Sequence, residues 1–207
     1  MFSHALTIVT KELNNHLKDV YRETTALCDL GNIAEGFSTN AGAPQRNKIY
    51  LSVVNIKEEK ALKNIPAYVR NDVTLTVSYE NPAVFLNFQI LVVVTHSVYS
   101  DALLWLSRLI RFFQARNVFT QDNVAPGSIT QSGNPLDQLE SFKLIFDLYS
   151  PTMEEVNHLW GTLGGKQYPF VLYTMRMLEL KFKTVQSESG LITEVVSDFY
   201  HKNGVAK

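Results

Sequence analysis

One segment, residues 84–95, constrains the fold of this chain more than any other. From Val84 to Val94 every second residue is apolar, whereas the positions between them mix apolar residues with polar ones such as Asn87 and Gln89. Successive residues of a strand face opposite sides of a sheet. One side of this segment is therefore wholly apolar and the other half apolar, which predicts a central strand.

Three further segments show the apolar spacing of three to four residues that is typical of amphipathic helices. They are residues 2–21, residues 100–116 and residues 151–165. Ser100 and Asp101 are residue types that cap helices, so we expect them to begin the second helix. Thr152 and Glu155 match a capping box at the start of the third helix.

Several segments with alternating or β-branched residues predict further strands. These are residues 26–29, 48–57, 142–149 and 168–182, with a small hairpin between Tyr68 and Tyr79 around Arg70, Asn71 and Asp72. Helices and strands in this order predict an α+β fold with a single mixed, mostly antiparallel sheet flanked by helices.

The chain is predicted to form one domain, residues 1–185, followed by a C-terminal arm, residues 186–207. A polar segment rich in Gly and Pro, residues 117–138, is predicted to be a long loop, whereas connections of about 4 to 6 residues are usual. We expect such a loop to be either mobile or ordered by a partner.

Composition excludes several functional classes. Lys and Arg number 19 and Asp and Glu number 20, so a formal net charge of -1 gives no broad basic field for nucleic acid. Cys28 is the single cysteine, so an intramolecular disulfide and a cysteine zinc site are excluded. With no apolar run of about 18 residues and no signal-peptide pattern, we expect no membrane insertion and a cytoplasmic location at synthesis.

No residue set has the spacing of a catalytic or cofactor site. Residues 161–166 superficially resemble a phosphate-binding loop, but the glycine spacing is one residue short and Gln167 stands where Ser or Thr is required. The five histidines lack zinc-site spacing. We therefore predict neither an enzyme nor a cofactor.

The second predicted helix carries a group of arginines, Arg108, Arg111 and Arg116. They indicate either a solvated helix face or a basic stripe for an acidic partner or nucleic acid.

Four blocks of sequence together resemble the tail-cap, or tail-terminator, proteins of extracellular contractile injection systems. The blocks are NPAVFLNF at residues 81–88, LSRLIRFFQ at residues 106–114, EEVNHLWGTLG at residues 154–164, and YPFVLY at residues 168–173 with RML at residues 176–178. The resemblance covers roughly residues 3–182. None of the blocks is a catalytic signature, so the resemblance depends on their order as a set.

This resemblance implies a structural cap. The family's role implies a homohexameric ring, similar to phage tail terminators, that ends tube and sheath polymerisation and joins the two. The partners implied are further copies of the chain and the tube and sheath proteins, with no nucleic acid and no cofactor. The protein would assemble in the cytoplasm and remain part of the injection particle, whether or not the particle is released.

Segments that order on docking suit a ring subunit. The residues we predict at partner interfaces are Arg70, Asn71, Asp72, Arg108, Arg111, Asn123, Pro126 and Ser128. Two other functions stay open from the sequence: another structural subunit of the same particle, such as a baseplate protein or sheath adaptor, or an enzyme of unknown substrate.

Overall fold

The computed structural model describes residues 1–36, 45–62, 66, 68–130, 133–139, 141–180, 185–191 and 194–197. The chain divides into two compact units, residues 1–62 with 84–180 and residues 63–83 with 181–207. Each unit contains its own sheet. The predicted boundary at residue 185 stays a prediction.

The first unit contains four helices and six strands among its described residues. The helices are α1 (Phe2–Tyr21), α2 (Tyr99–Ala115), α3 (Pro126–Ile129) and α4 (Met153–Thr162). The strands are β1 (Cys28–Leu30), β2 (Ile49–Glu58), β5 (Val84–Val94), β6 (Val118–Thr120), β7 (Lys143–Tyr149) and β8 (Phe170–Leu180). The second unit contains β3 (Tyr68–Asn71), β4 (Thr76–Glu80) and β9 (Val185–Gly190).

The six-stranded sheet of the first unit has the order β1-β2-β5-β8-β7-β6. Strand β1 runs parallel to β2, and all other neighbours are antiparallel. Strand β5 lies inside the sheet, where Ile90 is in register with Val53 of β2 and Tyr173 of β8. The predicted central strand and the mixed, mostly antiparallel sheet flanked by helices are confirmed.

Helices cover both faces of this sheet, which explains why β5 is apolar on both sides. On one face, α1 and α2 pack against a core that includes Ile90 and Val92 of β5. On the other face, α4 contributes Val156 and Trp160 to a smaller core with Leu91. Burying one such aliphatic side chain stabilises the fold by about 1.5–3 kcal/mol.

The sequence patterns locate the helices, but not every helix start. Helix α4 begins with the predicted capping box, in which Thr152 and Glu155 each bond the other's backbone N–H. The predicted cap of α2 is wrong: Val98 occupies the cap position without a side-chain hydrogen bond, and Ser100 and Asp101 lie inside the first turn. The N–H of Ala102 donates to the carbonyl of Val98 at 3.1 Å, so the helix begins before the residues predicted to cap it.

The second unit adds a three-stranded antiparallel sheet in the order β3-β4-β9. The predicted hairpin between Tyr68 and Tyr79 is confirmed as β3 and β4. Strand β9, at Val185–Gly190, occupies the start of the segment predicted as a C-terminal arm, residues 186–207. Thr193 and residues 198–207 lie outside the described residues. The chain therefore forms two sheets where a single one was predicted.

Candidate interaction surfaces

The hairpin turn of the second unit contains three of the predicted interface residues. The Oδ1 of Asn71 accepts the backbone N–H groups of Val73 at 3.0 Å and Thr74 at 3.2 Å. Arg70 forms an ion pair with Asp72 in which the side chains are 60% and 74% exposed. An exposed pair of this kind contributes little stability. The three side chains shape the turn and remain open to solvent, and their contact with a partner stays a prediction.

Large apolar side chains along this hairpin are exposed. Val73 is 93% exposed, and Tyr68, Val69, Leu75 and Tyr79 are all between 43% and 53% exposed. Groups of exposed apolar residues are typical of interaction surfaces.

Helix α2 contains two more predicted interface residues, and their environments differ. The Nη1 of Arg108 donates to Oε1 of Glu23 at 2.7 Å, and its guanidinium lies 4.4 Å from the ring centre of Tyr21. Arg108 therefore holds the end of α1 against α2. Arg111 is exposed and forms no ion pair within the described part of the chain. Of the two arginines, Arg111 is the one available to an acidic partner.

The N-terminal half of α2 presents an apolar surface that the sequence patterns did not single out. Tyr99 is 67% exposed, and Leu103 and Leu104 are 45% and 48% exposed. Beside them lies an open groove of about 380 Å³, lined by Leu106 and residues 167–170 among others. The apolar spacing of α2 predicted only a stripe that faces the core, so this second apolar surface was not expected. The detectable signal was that Leu103, Leu104 and Leu106 extend the apolar arc of α2 beyond one helix face.

The predicted long loop, residues 117–138, is not structureless where it is described. It contains β6, α3 and a 3-10 turn at Pro135–Asp137. The expectation of an unstructured loop is therefore wrong for these residues. The sequence missed these elements because each is only three or four residues long, too short to show periodicity.

Buried polar groups of α1 order this loop from within the same chain. Glu12, which is 6% exposed, accepts hydrogen bonds from the N–H of Ala125 at 2.9 Å and the hydroxyl of Ser128 at 2.5 Å. It also pairs with Arg116 at 2.7 Å. Ser128 is 1% exposed. A buried carboxylate with this many donors explains the order of the loop without any partner.

His4 and Lys11 add further contacts from α1 to the loop. The ring nitrogens of His4 lie 2.7 Å from the carbonyl oxygen of Ile129 and 2.9 Å from the backbone nitrogen of Leu139. Because the Leu139 N–H donates to Nδ1, the proton of the neutral ring is on Nε2, which donates to Ile129. The Nζ of Lys11 donates to the carbonyl of Thr130 at 2.7 Å.

Two predicted interface residues lie on the outer side of this loop. Pro126 begins α3 and is exposed. Asn123 is also exposed at the surface, but its side chain bonds to β6, with Nδ2 donating to the carbonyl of Val118 and Oδ1 accepting from the N–H of Thr120, both at 2.9 Å. The interface role of Asn123, Pro126 and Ser128 stays a prediction, and the structure gives Asn123 and Ser128 definite intramolecular roles.

The ionisable groups with shifted pKa values are explained by packing and local hydrogen bonds. Burial raises the pKa of the Cys28 thiol, with a smaller contribution from the Asp29 charge, and burial raises the pKa of Tyr173 to about 12. Both side chains lie in the core of the first unit. Within the described residues, no group of three or more potential metal ligands occurs. Nor does any described helix have the length and apolarity to cross a membrane.

Comparisons with known proteins place the chain in a family. The sequence pattern described as the Pvc16 N-terminal domain matches residues 4–194. The chain therefore belongs to the Pvc16 N-terminal domain family, and the predicted resemblance to tail-cap proteins is confirmed. No curated protein gives a significant sequence match.

Two solved structures share the fold. One is the PVC sheath/tube terminator of an extracellular contractile injection system in its extended state, at 10% identity and a TM-score of 0.61. The other is the tube-terminating cap of the anti-feeding prophage, at 11% identity and a TM-score of 0.57. The aligned regions cover 100% and 92% of this chain but only 65% and 60% of those chains, so this chain spans less than two thirds of either protein.

Proposed function

We propose that the protein is a structural cap of a contractile injection particle, which ends tube and sheath polymerisation and joins the two. The observation that carries this proposal is the family match over residues 4–194, together with the shared fold of two proteins that are named as a tube terminator and a tube cap. The cap would assemble in the cytoplasm as a homohexameric ring and remain in the extracellular particle.

The surfaces of the chain support an assembly role. Each unit presents exposed apolar side chains, at Leu103 and Leu104 in the first unit and at Val73 in the second. A ring subunit needs two different contact surfaces, because a head-to-tail contact that closes by rotation joins unlike patches. Exposed apolar residues on soluble proteins are typical of such contacts.

Electron microscopy of particles from cells with and without this gene tests the proposal. With the gene present, we expect tails of uniform length that carry a ring at one end. Without it, we expect variable tail lengths and ends that lack the ring, because nothing stops addition of tube and sheath subunits. Complementation with the wild-type gene should restore both features.

Normal capped tails without the gene would contradict the proposal and favour a baseplate or sheath-adaptor role. A label attached to the protein distinguishes a cap from a baseplate or sheath-adaptor subunit, since a labelled cap would be seen at the end opposite the baseplate. Averaging of end views of the capped ring counts its subunits, and we expect six.

A further inference from the structure

Asparagine side chains bond the outer edges of β1 and β6, the two outermost strands of the six-stranded sheet. At the β1 edge, Nδ2 of Asn14 donates to the carbonyl of Cys28 at 2.8 Å, and Oδ1 of Asn14 accepts the N–H of Cys28 at 2.9 Å. One side-chain amide thus takes both backbone groups that a further strand would use at this residue.

At the β6 edge, the side chain of Asn123 bonds the carbonyl of Val118 and the N–H of Thr120. The carbonyl of Thr120 is also occupied, since it accepts the N–H of Asn123 at 3.2 Å and that of Val124 at 3.3 Å. A strand added at either edge would have to displace these bonds. Strand addition beside β1 and beside β6 is therefore disfavoured, whereas residues 52–58 of β2 extend beyond the residues paired with β1.

In the three-stranded sheet of the second unit, both outer strands are open. All four residues of β3 are exposed, as are residues 187–190 of β9. Within the described residues, neither β3 nor β9 has a strand other than β4 beside it. Unpaired edges of this kind are templates for pairing with another chain.

The hydrogen-bond alternation identifies which backbone groups point outward. The N–H of Leu191 donates to the carbonyl of Leu75 at 2.8 Å, so the backbone of Leu75 points toward β9. Alternation along antiparallel strands then directs Tyr68 and Arg70 of β3 away from β4. By the same rule, Glu188 and Gly190 of β9 point outward on the opposite side of the sheet.

The two open edges differ in charge. Strand β3 contains Arg70, which is paired with Asp72 of the adjoining turn, whereas the exposed part of β9 contains Glu188, which forms no ion pair within the described residues. If two copies met through their β9 edges, Glu188 would lie close to its own counterpart. Like charges at such positions are destabilising. Pairing of β9 with β3 avoids this repulsion, and a ring that closes by rotation joins unlike edges.

We propose that β3 of one copy pairs with β9 of the next copy, so that the three-stranded sheets join head to tail. Both strands are antiparallel to β4 and so parallel to each other, which makes the new pair parallel. This inference rests on the proposed function, because such a contact between unlike edges closes into a ring only when the rotation between copies allows it.

The proposed contact continues the register of one copy into the next. Arg70 is in register with Val77, which is in register with Ser189, so the three side chains share one face. In a parallel pair, the outward groups of Arg70 would bond to Glu188 and Gly190 of the next copy. Arg70 then lies beside Ser189 at the strand spacing of about 4.8 Å, which is within the range for a disulfide.

Disulfide trapping in particle-producing cells that lack the native gene tests this contact. The double variant Arg70→Cys with Ser189→Cys should give, after mild oxidation of purified particles, a ladder of covalent oligomers of this chain. Either single variant should remain monomeric, because like edges do not meet. A mixture of the two single variants should give dimers only. Native Cys28 is fully buried, so the wild-type chain should not cross-link.

Three outcomes would overturn the inference. Two of them are dimers from Arg70→Cys alone or from Ser189→Cys alone, since either shows pairing of like edges. The third is the absence of a ladder in capped particles from both the first double variant and a second one, Val69→Cys with Glu188→Cys, which samples the other face of the sheet. Tail lengths in the same preparations test the cap function separately. If the ladder forms but deletion of the gene leaves tail length unchanged, the proposed function is contradicted and the β3–β9 contact stands.

Discussion

At the scale of single residues, Glu12 has the densest set of polar contacts in the described structure of α1. Replacing it with Ala leaves Nη1 of Arg116, the Ser128 hydroxyl and the Ala125 N–H without this acceptor, while Nη2 of Arg116 keeps its bond to Asn123. Because buried donors without an acceptor are costly, we expect the free energy of unfolding to fall by roughly 3 kcal/mol. Urea denaturation of the purified chain measures this change.

Asp19→Ala is the matched control for Glu12→Ala, since Asp19 is an exposed carboxylate on the same helix. We expect this control to change the free energy of unfolding by less than about 0.5 kcal/mol. Equal effects of the two substitutions would show that Glu12 acts only through the net charge of α1.

Asn123 closes the edge of β6, so its replacement has two consequences. Asn123→Ala removes both side-chain bonds to β6, and we expect a loss of about 1 kcal/mol in the free energy of unfolding. We also expect part of the protein to sediment as faster-moving aggregate, because the substitution exposes the unpaired edge of β6. Analytical ultracentrifugation measures this, with the exposed neighbour Asp122→Ala as control. Unchanged sedimentation of Asn123→Ala would contradict edge protection.

At the scale of elements, α4 depends on its capping box. Thr152→Ala removes the acceptor for the N–H of Glu155, and we expect a loss of about 1 kcal/mol in thermal or chemical unfolding. Thr152→Ser keeps the hydroxyl and should retain most of the stability. A loss of the same size in both variants would show that the methyl group of Thr152, and not the cap, is responsible.

The contribution of this helix cap to stability depends on pH and decreases as pH falls. The hydrogen bond from the backbone N–H of Thr152, together with that from the Tyr149 hydroxyl, lowers the pKa of Glu155 in the folded state. A lowered folded-state pKa means that the contribution of Glu155 is present at neutral pH and is lost as pH falls through that value. Glu155→Gln should therefore weaken the acid dependence of stability, measured by chemical denaturation between neutral and acidic pH.

Substitutions in helix α2 distinguish residues that stabilise the fold from residues that contact a partner. Leu109 is 0% exposed, so Leu109→Ala should reduce the free energy of unfolding by about 2–5 kcal/mol. The exposed pair Leu103→Ser with Leu104→Ser should leave the free energy of unfolding within about 0.5 kcal/mol of wild type. If the outer face of α2 contacts a partner, the exposed variant should nevertheless fail to restore uniform tail lengths in cells lacking the gene. Full restoration by that variant would exclude this face as a contact.

The elements also show how far a pattern in sequence predicts structure. Long segments with a sustained period, such as α1, β5 and β8, were located from the sequence because each buries a continuous apolar face. Short elements of the predicted loop, β6 and α3, were not, because β6 depends on pairing with β7 and α3 depends on Glu12, more than a hundred residues away in sequence. No local pattern encodes that contact.

At the scale of the whole molecule, Cys28 reports on the integrity of the first unit. Its side chain is 0% exposed within the main core, and burial raises the pKa of its thiol. At pH 8 we therefore expect a thiol reagent to label the native protein at least tenfold more slowly than the urea-unfolded protein. Labelling at the unfolded rate under native conditions would show that this core opens locally.

The sequence by itself determined the α+β class, the central strand β5, the three long helices and the resemblance to tail-cap proteins. These follow from periodic burial and from ordered blocks of sequence, both of which can be read along the chain. Only the tertiary structure decided that Arg108 and Ser128 are held within the first unit, that α2 exposes Leu103 and Leu104, and which sheet edges are closed. The physical reason is that exposure and edge closure depend on contacts between residues distant in sequence, which no local spacing records.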